Sequence, residues 1–436
     1  MIIDIGTGNV RVALVSVAGN ILTVKRDTVH YERDDRYPEA LHFDPARLWD
    51  QIISLGREAL RQYQNISIQA ITASSQREGI VLLDEAGHPL IGLPNHDHRG
   101  RQWEEIVRHK DRVYELTGRY PNSLFSALKL KGVEKKRPAL WHKVHSFLSI
   151  SDWAQYKLTG VARYEHSQAS ETQLYSVKNQ KWSSELAANF KLSIDHRPNL
   201  IEAGTILGDI LQEHADSWDI SAETLIVVGG ADTQLAMKST RPAVEDIVIV
   251  SGTTTPVTKI MKEYRIDQKQ RTWTNRDIET GRFVLETNAG VTGLNYQRLK
   301  KIFYPNEDYD TIEKELAQIN HSRCFAALGS LISGEESPLL RGGFVFEVPV
   351  SHDLSRADFA WAALWDIACS IKENYDVLNE VGEHDSKYVW ACSGGMQSAT
   401  LRMFISNLIG KELWIRPGYR QASVAGAALM CAQALG

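Results

Sequence analysis

Two segments of the chain, IIDIGTGNVRVAL near its start and VIVSGTTTPVTKI past its midpoint, follow one plan: an apolar strand, a tight turn of glycine and threonine, and a second strand. Such a turn gathers several backbone N–H groups and one or two hydroxyls at one point, and glycine lets an anion approach the backbone. A single turn of this kind is accounted for as a hairpin connection, with residues chosen for their backbone angles. Two of them at matching places in two halves of a chain predict two lobes facing each other, with a polyphosphate gripped between the turns. At roughly 150 residues per domain, 436 residues leave room for that arrangement.

The rest of the pattern is α/β. The opening stretch predicts a meander of three antiparallel strands, with turns at Gly6-Thr7-Gly8-Asn9 and Gly19-Asn20. Asp44-Pro45 supplies an N-cap acid and an N1 proline for a helix carrying Leu48, Ile52, Leu55, Ala59 and Leu60 at helical spacing. A strand at ISIQAITASSQ, a hairpin at IVLLDEAGHPLIG and an exposed helix from Trp103 to Glu115 follow. From about Lys129 to Glu223 the chain reads as mostly helical packing, with SFLSISDWAQYKLTG closing on Gly160 like a capped helix end. LIVVGGADTQLAMKS predicts an apolar strand, a Gly229-Gly230 turn, and a helix with Asp232 in its first turn. A proline after that helix, at Arg241-Pro242, marks the expected boundary between residues 1–241 and 242–436. The second part is expected to end with strand YVWACSGG, helix MQSATLRMFISNLIG, strand ELWIRP and the small-residue helix ASVAGAALMCAQALG.

Composition excludes several classes. With 49 basic and 54 acidic residues the net charge is −5, which disfavours a nucleic-acid-coating protein. Four cysteines, none in a CxxC pair, argue against a disulfide scaffold or a zinc ribbon and fit a reducing cytosol. The start Met1-Ile2-Ile3-Asp4 lacks the basic residues of a secretory signal, no apolar run matches a membrane span, and a cytoplasmic location is expected. Gly6-Thr7-Gly8 gives GxG after a strand, but Arg11 occupies the third glycine position and a strand follows, so the dinucleotide fingerprint fails. The GxxxxGK[ST] loop is absent from the sequence.

Four groups of residues could carry chemistry. Asp4, at the end of a buried strand, needs a cap, a pairing with Arg11, or a hydrated Mg²⁺. Asp232 reads either as an N-cap lacking its capping-box partner, since Leu235 stands there, or as a base that accepts a hydroxyl proton in phosphoryl transfer. Gln76, Arg77 and Glu78 place an amide, a guanidinium and a carboxylate in succession, the groups that read a polyol's hydroxyls. Asn95, Asp97 and Arg99 are expected on one face of an extended segment. His96 and His98 beside them lack a third defined metal ligand and read as solvated or core histidines.

Together these segments resemble the FGGY carbohydrate kinases, which have the two-lobed α/β actin/hexokinase/Hsp70-like ATPase (ribonuclease H-like) fold. DIGTGNVR is similar to that family's first phosphate motif, GGADTQ to the segment bearing its catalytic base, SGTTT to its second phosphate loop and SGGMQS to the glycine pair of its adenosine pocket. Within the family, SSQREGIVLLDEAGHPL, NHDHR and ISDWAQYKLTG look most like the autoinducer-2 kinases. The resemblance implies an ATP- and Mg²⁺-dependent transfer to a primary hydroxyl of a small sugar, ketose, polyol or autoinducer-2-like compound. Asp232 would then be the base, and Gln76, Arg77, Glu78, Asn95 and Asp97 would bind the substrate. Gly6, Thr7, Gly8, Asn9, Arg11, Gly252, Thr253, Thr254, Gly394, Gly395 and Gln397 would hold the nucleotide, and Asp4 with Asp232 would hold the metal. A homodimer is one candidate assembly that the sequence leaves open, and neither nucleic acid nor membrane is expected as a partner. A sugar sensor that keeps the fold without catalysis is the alternative. The chain departs from the family pattern at Asn295-Tyr296, Glu347, Trp365-Asp366, Met403 and Asn407, and its second lobe is short, departures that bear on the nucleotide more than on the chemistry.

Overall fold

The computed structural model describes residues 1–34, 37–63, 66–193, 197–319, 323–329 and 341–436. Two six-stranded sheets dominate it, and both are assembled to one plan. In the first, strands Ile2–Ile5, Asn9–Val15 and Ile21–Thr28 form the antiparallel meander, and Ala70–Ser75 and Leu225–Ala231 add in parallel beside Ile2–Ile5. Ile206–Asp209 closes the far edge antiparallel. In the second, Ile247–Val250 and Pro256–Met261 form the hairpin, and Phe283–Asn288 and Trp273–Arg276 continue it antiparallel. Tyr388–Cys392 and Glu412–Trp414 add in parallel on the other side of Ile247–Val250. Parallel strands require both faces covered, so they read as continuous apolar runs: Ile2–Ile5 and Ile247–Val250 are buried throughout.

Helices supply that cover. Pro45–Leu60 starts where expected, with the Asp44 carboxylate accepting the Ala46 N–H, and it buries Leu48, Ile52, Leu55 and Ala59. The last helix, Ala422–Leu435, crosses back to pack on Asp232–Thr240 and on strand Ala70–Ser75. That crossing requires a glycine, because a Cβ on Gly426 would fall 1.7 Å from the Leu235 carbonyl oxygen.

Three local expectations are corrected. The stretch from Trp103 to Glu115 is two short helices, Arg101–Ile106 and Lys110–Thr117, because Val107 is drawn into the core and takes extended backbone between them. The second of these is packed rather than exposed: Val113 and Tyr114 are buried, and the Tyr114 hydroxyl donates to the Thr272 carbonyl at 2.9 Å. The middle of the chain is less helical than expected. Ser146–Ser149 is a strand beside the hairpin strand Ile80–Leu83, and the Ser149 hydroxyl then caps the shorter helix Ile150–Thr159. Finally, Gly229 and Gly230 lie inside strand Leu225–Ala231 instead of forming a turn. The strand irregularity between Val227 and Gly230 brings it so close to its neighbour that a Cβ on Gly229 would sit 1.9 Å from the Ala73 carbonyl oxygen.

Candidate active site

The carboxyl ends of the parallel strands converge. Ile5 lies opposite Ser75, and Ser75 opposite Ala231, so the residues that follow these strands, Gly6, Gln76 and Asp232, emerge at one edge of the first sheet. Val250 lies opposite Cys392 in the second sheet, which brings out Ser251 and Ser393 side by side. Ligands of open α/β sheets bind at such ends.

The first turn is closed by Gly6 N–H donating to the Asn9 carbonyl at 2.9 Å, and leaves Gly8 and Asn9 exposed. Asp4 and Arg11 face each other across the hairpin and pair at 2.9 Å, so the simple pairing expected for Asp4 is present. Arg11 also donates to Gln421 Oε1 at 3.1 Å, and the Ser423 hydroxyl donates to Asp4 Oδ2 at 2.8 Å. Asp4 Oδ1 is buried with no hydrogen-bond partner among the described residues.

In the second sheet the turn at Gly252, Thr253 and Thr254 closes through Gly252 N–H to the Thr254 carbonyl at 2.9 Å. It is clasped to the short 3₁₀ turn Gly394–Gln397, whose Gly395 N–H donates to the Ser251 carbonyl at 2.8 Å. A Cβ on Gly395 would lie 2.1 Å from Ser251 Oγ, so the clasp depends on that glycine. Gln397 is exposed at the outer end of the turn.

Asp232 is the first residue of helix Asp232–Thr240, with Ala231 at the capping position, so its carboxylate is not the N-cap. Oδ1 accepts from Thr233 N at 2.7 Å. Burial is the main influence on its acidity and pushes the carboxyl up to about 6; the Arg77 charge works against that rise and the Asp4 charge adds to it.

Gln76, Arg77 and Glu78 are buried at the first-lobe edge. Gln76 Oε1 accepts Asn95 N–H at 3.0 Å, and Asn95 Nδ2 reaches Thr7 Oγ1 at 2.8 Å, tying the polar cluster to the first glycine turn. Residues 94–100 form turns rather than an extended run, with Asp97 N–H closing on the Pro94 carbonyl, so the shared face expected of Asn95, Asp97 and Arg99 does not form. Asp97 is fully buried; Oδ1 accepts Leu41 N–H at 2.9 Å and Oδ2 pairs with Arg99 at 2.6 Å. His96 packs edge-on against Tyr31, and His98 Nδ1 lies 3.1 Å from Ser123 Oγ.

Arg77 forks onto Glu286 of the second sheet, at 2.5 and 2.8 Å, and lies 3.8 Å from Glu171, which itself pairs with Arg119. Burial disfavours the Arg77 charge, but Glu286, Glu171 and Glu78 more than offset it and hold the guanidinium firmly protonated. Lys129, buried, donates to the carbonyls of Glu78, Asn95 and Leu124, and its desolvation lowers it to about 8. Sequence reasoning missed Glu286, Glu171, Arg119 and Lys129. The signal for Glu286 was a carboxylate on the strand FVLETN beside three apolar residues; Glu171 carried none, since its segment HSQASETQ is polar in sequence and is buried only in the fold.

The model of the FGGY family of carbohydrate kinases, N-terminal domain, matches residues 1–238. The chain belongs to the FGGY family of carbohydrate kinases. Among FGGY relatives, the "Putative sugar kinase YoaC" of Bacillus subtilis (strain 168) is 49% identical over 434 residues, 99% of this chain and 89% of that protein. The autoinducer-2 kinase of Salmonella typhimurium is 27% identical over 70% of this chain, which spans 59% of that protein's length. The ligand-bound xylulose kinase of Lactobacillus acidophilus, at 18% identity, superposes with a TM-score of 0.84 over 100% of this chain and 89% of that one. The FGGY chain therefore has the two-lobed actin/hexokinase-like ATPase fold and is a carbohydrate kinase that uses ATP. Among the described residues, no helix is long and apolar enough to cross a membrane.

Proposed function

We propose that this FGGY kinase transfers the γ-phosphate of ATP to a primary hydroxyl of a small ketose, polyol or autoinducer-2-like compound, with Asp232 as the base. The observation that carries the reading is the Asp232 carboxylate, in no ion pair among the described residues, at the strand ends of the first sheet where the first glycine turn also emerges, with burial holding it near 6. A base of that acidity is ionised at neutral pH and still accepts a proton from an attacking hydroxyl. Gln76, Arg77, Glu78 and Asn95 border the acceptor. Asp97 acts through the turn it fixes, since both its oxygens are engaged. The turns at Gly6–Asn9 and Gly252–Thr254, with Arg11, take the phosphates through backbone N–H groups. The turn Gly394–Gln397 borders the adenosine. The orphaned Asp4 Oδ1 fits a hydrated Mg²⁺, with Asp232 as the second carboxylate toward it; the ion would neutralise charge on the β- and γ-phosphates. We take residues 1–241 and 242–436 as the two lobes, supported by the left-handed backbone of Arg241, at φ 51°, where the helix ends.

A coupled assay of ADP release with a panel of ketoses, polyols and autoinducer-2 tests this. The expected outcome is acceptor-dependent turnover, lowered by about 10³-fold or more in Asp232→Asn with acceptor binding retained. Turnover without acceptor, or full turnover in Asp232→Asn, would overturn it, and acceptor binding without transfer would favour the sensor.

A further inference from the structure

Among the described residues, every cation around the polar cluster has its anionic or carbonyl partner already. Both terminal nitrogens of Arg77 are on Glu286, those of Arg119 are on Glu171, and Lys129 is on three backbone carbonyls. Arg99 is held by Asp97 and the Leu41 carbonyl, and Arg11 by Asp4 and Gln421. The Arg77 pair is the informative one, because its carboxylate comes from 209 positions away, on an interior strand of the other sheet. Glu286 is 1% exposed, and its Oε2 also accepts from Asn275 Nδ2 at 3.1 Å, so its position is fixed from a second side.

We propose that Glu286 is a specificity-determining residue: by keeping Arg77 occupied, it makes the acceptor site one for neutral sugars and polyols and closes it to aldonates. This rests on the reading of the polar cluster as the acceptor site. A neutral hydroxyl can donate to the carboxylates of Glu78, Glu286 or Asp232 and lose little. An aldonate carboxylate entering the same space would be desolvated among those like charges, with each nearby cation among the described residues engaged, and a buried charge without a partner is strongly disfavoured. Taking Arg77 for itself would leave Glu286 as the unpaired charge instead. The discrimination is thus a repulsive element built from the second lobe.

Steady-state kinetics of the full chain with ATP and either xylitol and D-xylulose or D-xylonate and D-gluconate give one readout. Calorimetric titration of the same four compounds gives another that needs no turnover. In the wild type, the aldonates are expected to be weaker than the neutral compounds by about 100-fold or more, and Glu286→Gln, which keeps the shape and the Asn275 contact, is expected to narrow that ratio at least about tenfold. Equal use or binding of aldonate and neutral compound by the wild type would overturn the proposal. So would an unmoved ratio in a Glu286→Gln protein shown to be folded by circular dichroism. Should that variant not fold, the wild-type ratio decides. A gain of aldonate binding in Glu286→Gln with no acceptor phosphorylated by either protein would support the role of Glu286 while overturning the acceptor chemistry proposed above.

Discussion

The polar cluster of the first lobe and the glycine turns of the second do opposite things with side chains. Gln76, Arg77 and Asp97 are buried, and their side chains are linked to named partners, including one on the other sheet, with the buried Glu78 between them. Gly252, Thr253, Thr254, Gly394 and Gln397 are open or half-open, and the contacts that shape them run through the backbone. A buried, saturated cluster reads a ligand by the pattern of its hydroxyls and discriminates steeply, because any mismatch leaves a desolvated polar group without a partner. A turn of backbone N–H groups reads charge and little else. The difference teaches where each kind of substitution should act: removing or neutralising side chains on the acceptor side, adding atoms on the glycine side.

The largest effect expected from that contrast is at Gly395. A methyl there meets Ser251 Oγ and, at 3.1 Å, the Ser251 carbonyl oxygen, so Gly395→Ala must push the two clasped turns apart. Overpacking of this kind costs about 1–3 kcal/mol. KM for ATP is expected to rise about tenfold while acceptor KM stays put, since Gln76, Arg77, Glu78 and Asn95 follow the first sheet and Glu286 lies on a strand of the second that the clasp does not include. A rise in acceptor KM with ATP unaffected would reverse the assignment of the two sides.

A graded effect, reaching the same size only at pH 5, concerns Asp232, which follows a strand of the first sheet. With its carboxyl held near 6, log kcat/KM should fall with unit slope below that pH, about tenfold at pH 5. An acid limb near 4 would mean that burial does not act on the group as the structure requires. The same shift has a stability sign. The folded carboxyl binds its proton more tightly than the unfolded chain does, so ionisation costs stability as pH rises from about 4 through about 6. Asp232→Asn should therefore raise Tm at pH 8 and leave it nearly unchanged at pH 4, a sacrifice of stability confined to the residue that needs the charge.

The glycine side was far more legible in the sequence than the acceptor side, for physical reasons. A strand, a Gly/Thr turn and a strand are contiguous, so IIDIGTGNVRVAL and VIVSGTTTPVTKI announce both hairpins, and the Asp4–Arg11 pair follows from their register. Gln76, Arg77 and Glu78 were visible as a cluster, but what neutralises Arg77 was not, since Glu286 reaches it only once the two sheets close. Gly229-Gly230 misled in another way. Local propensity reads two glycines as a turn, whereas here close approach of Ala73 demands the missing side chain within a continuing strand. The helix expected over Trp103 to Glu115 failed because burial of Val107 outweighed helical continuity, a tertiary effect that no spacing reveals.

The smallest effect serves as the control for the comparison, because it should leave both sides alone. Asp44 is exposed, caps helix Pro45–Leu60 through Ala46 N–H at 2.8 Å, and belongs to neither the polar cluster nor the turns. Asp44→Ala removes that acceptor and should cost about 1 kcal/mol. The helix packs against strands Asn9–Val15 and Ile21–Thr28, on the meander that carries the first turn, yet the turn's own closure runs through Gly6 and Asn9. Denaturant unfolding should therefore show the lost stability while KM for acceptor and for ATP both hold. A shift in KM for ATP alone would mean that the first turn draws its rigidity from the helix behind it, and that the glycine side is less self-contained than its backbone contacts indicate.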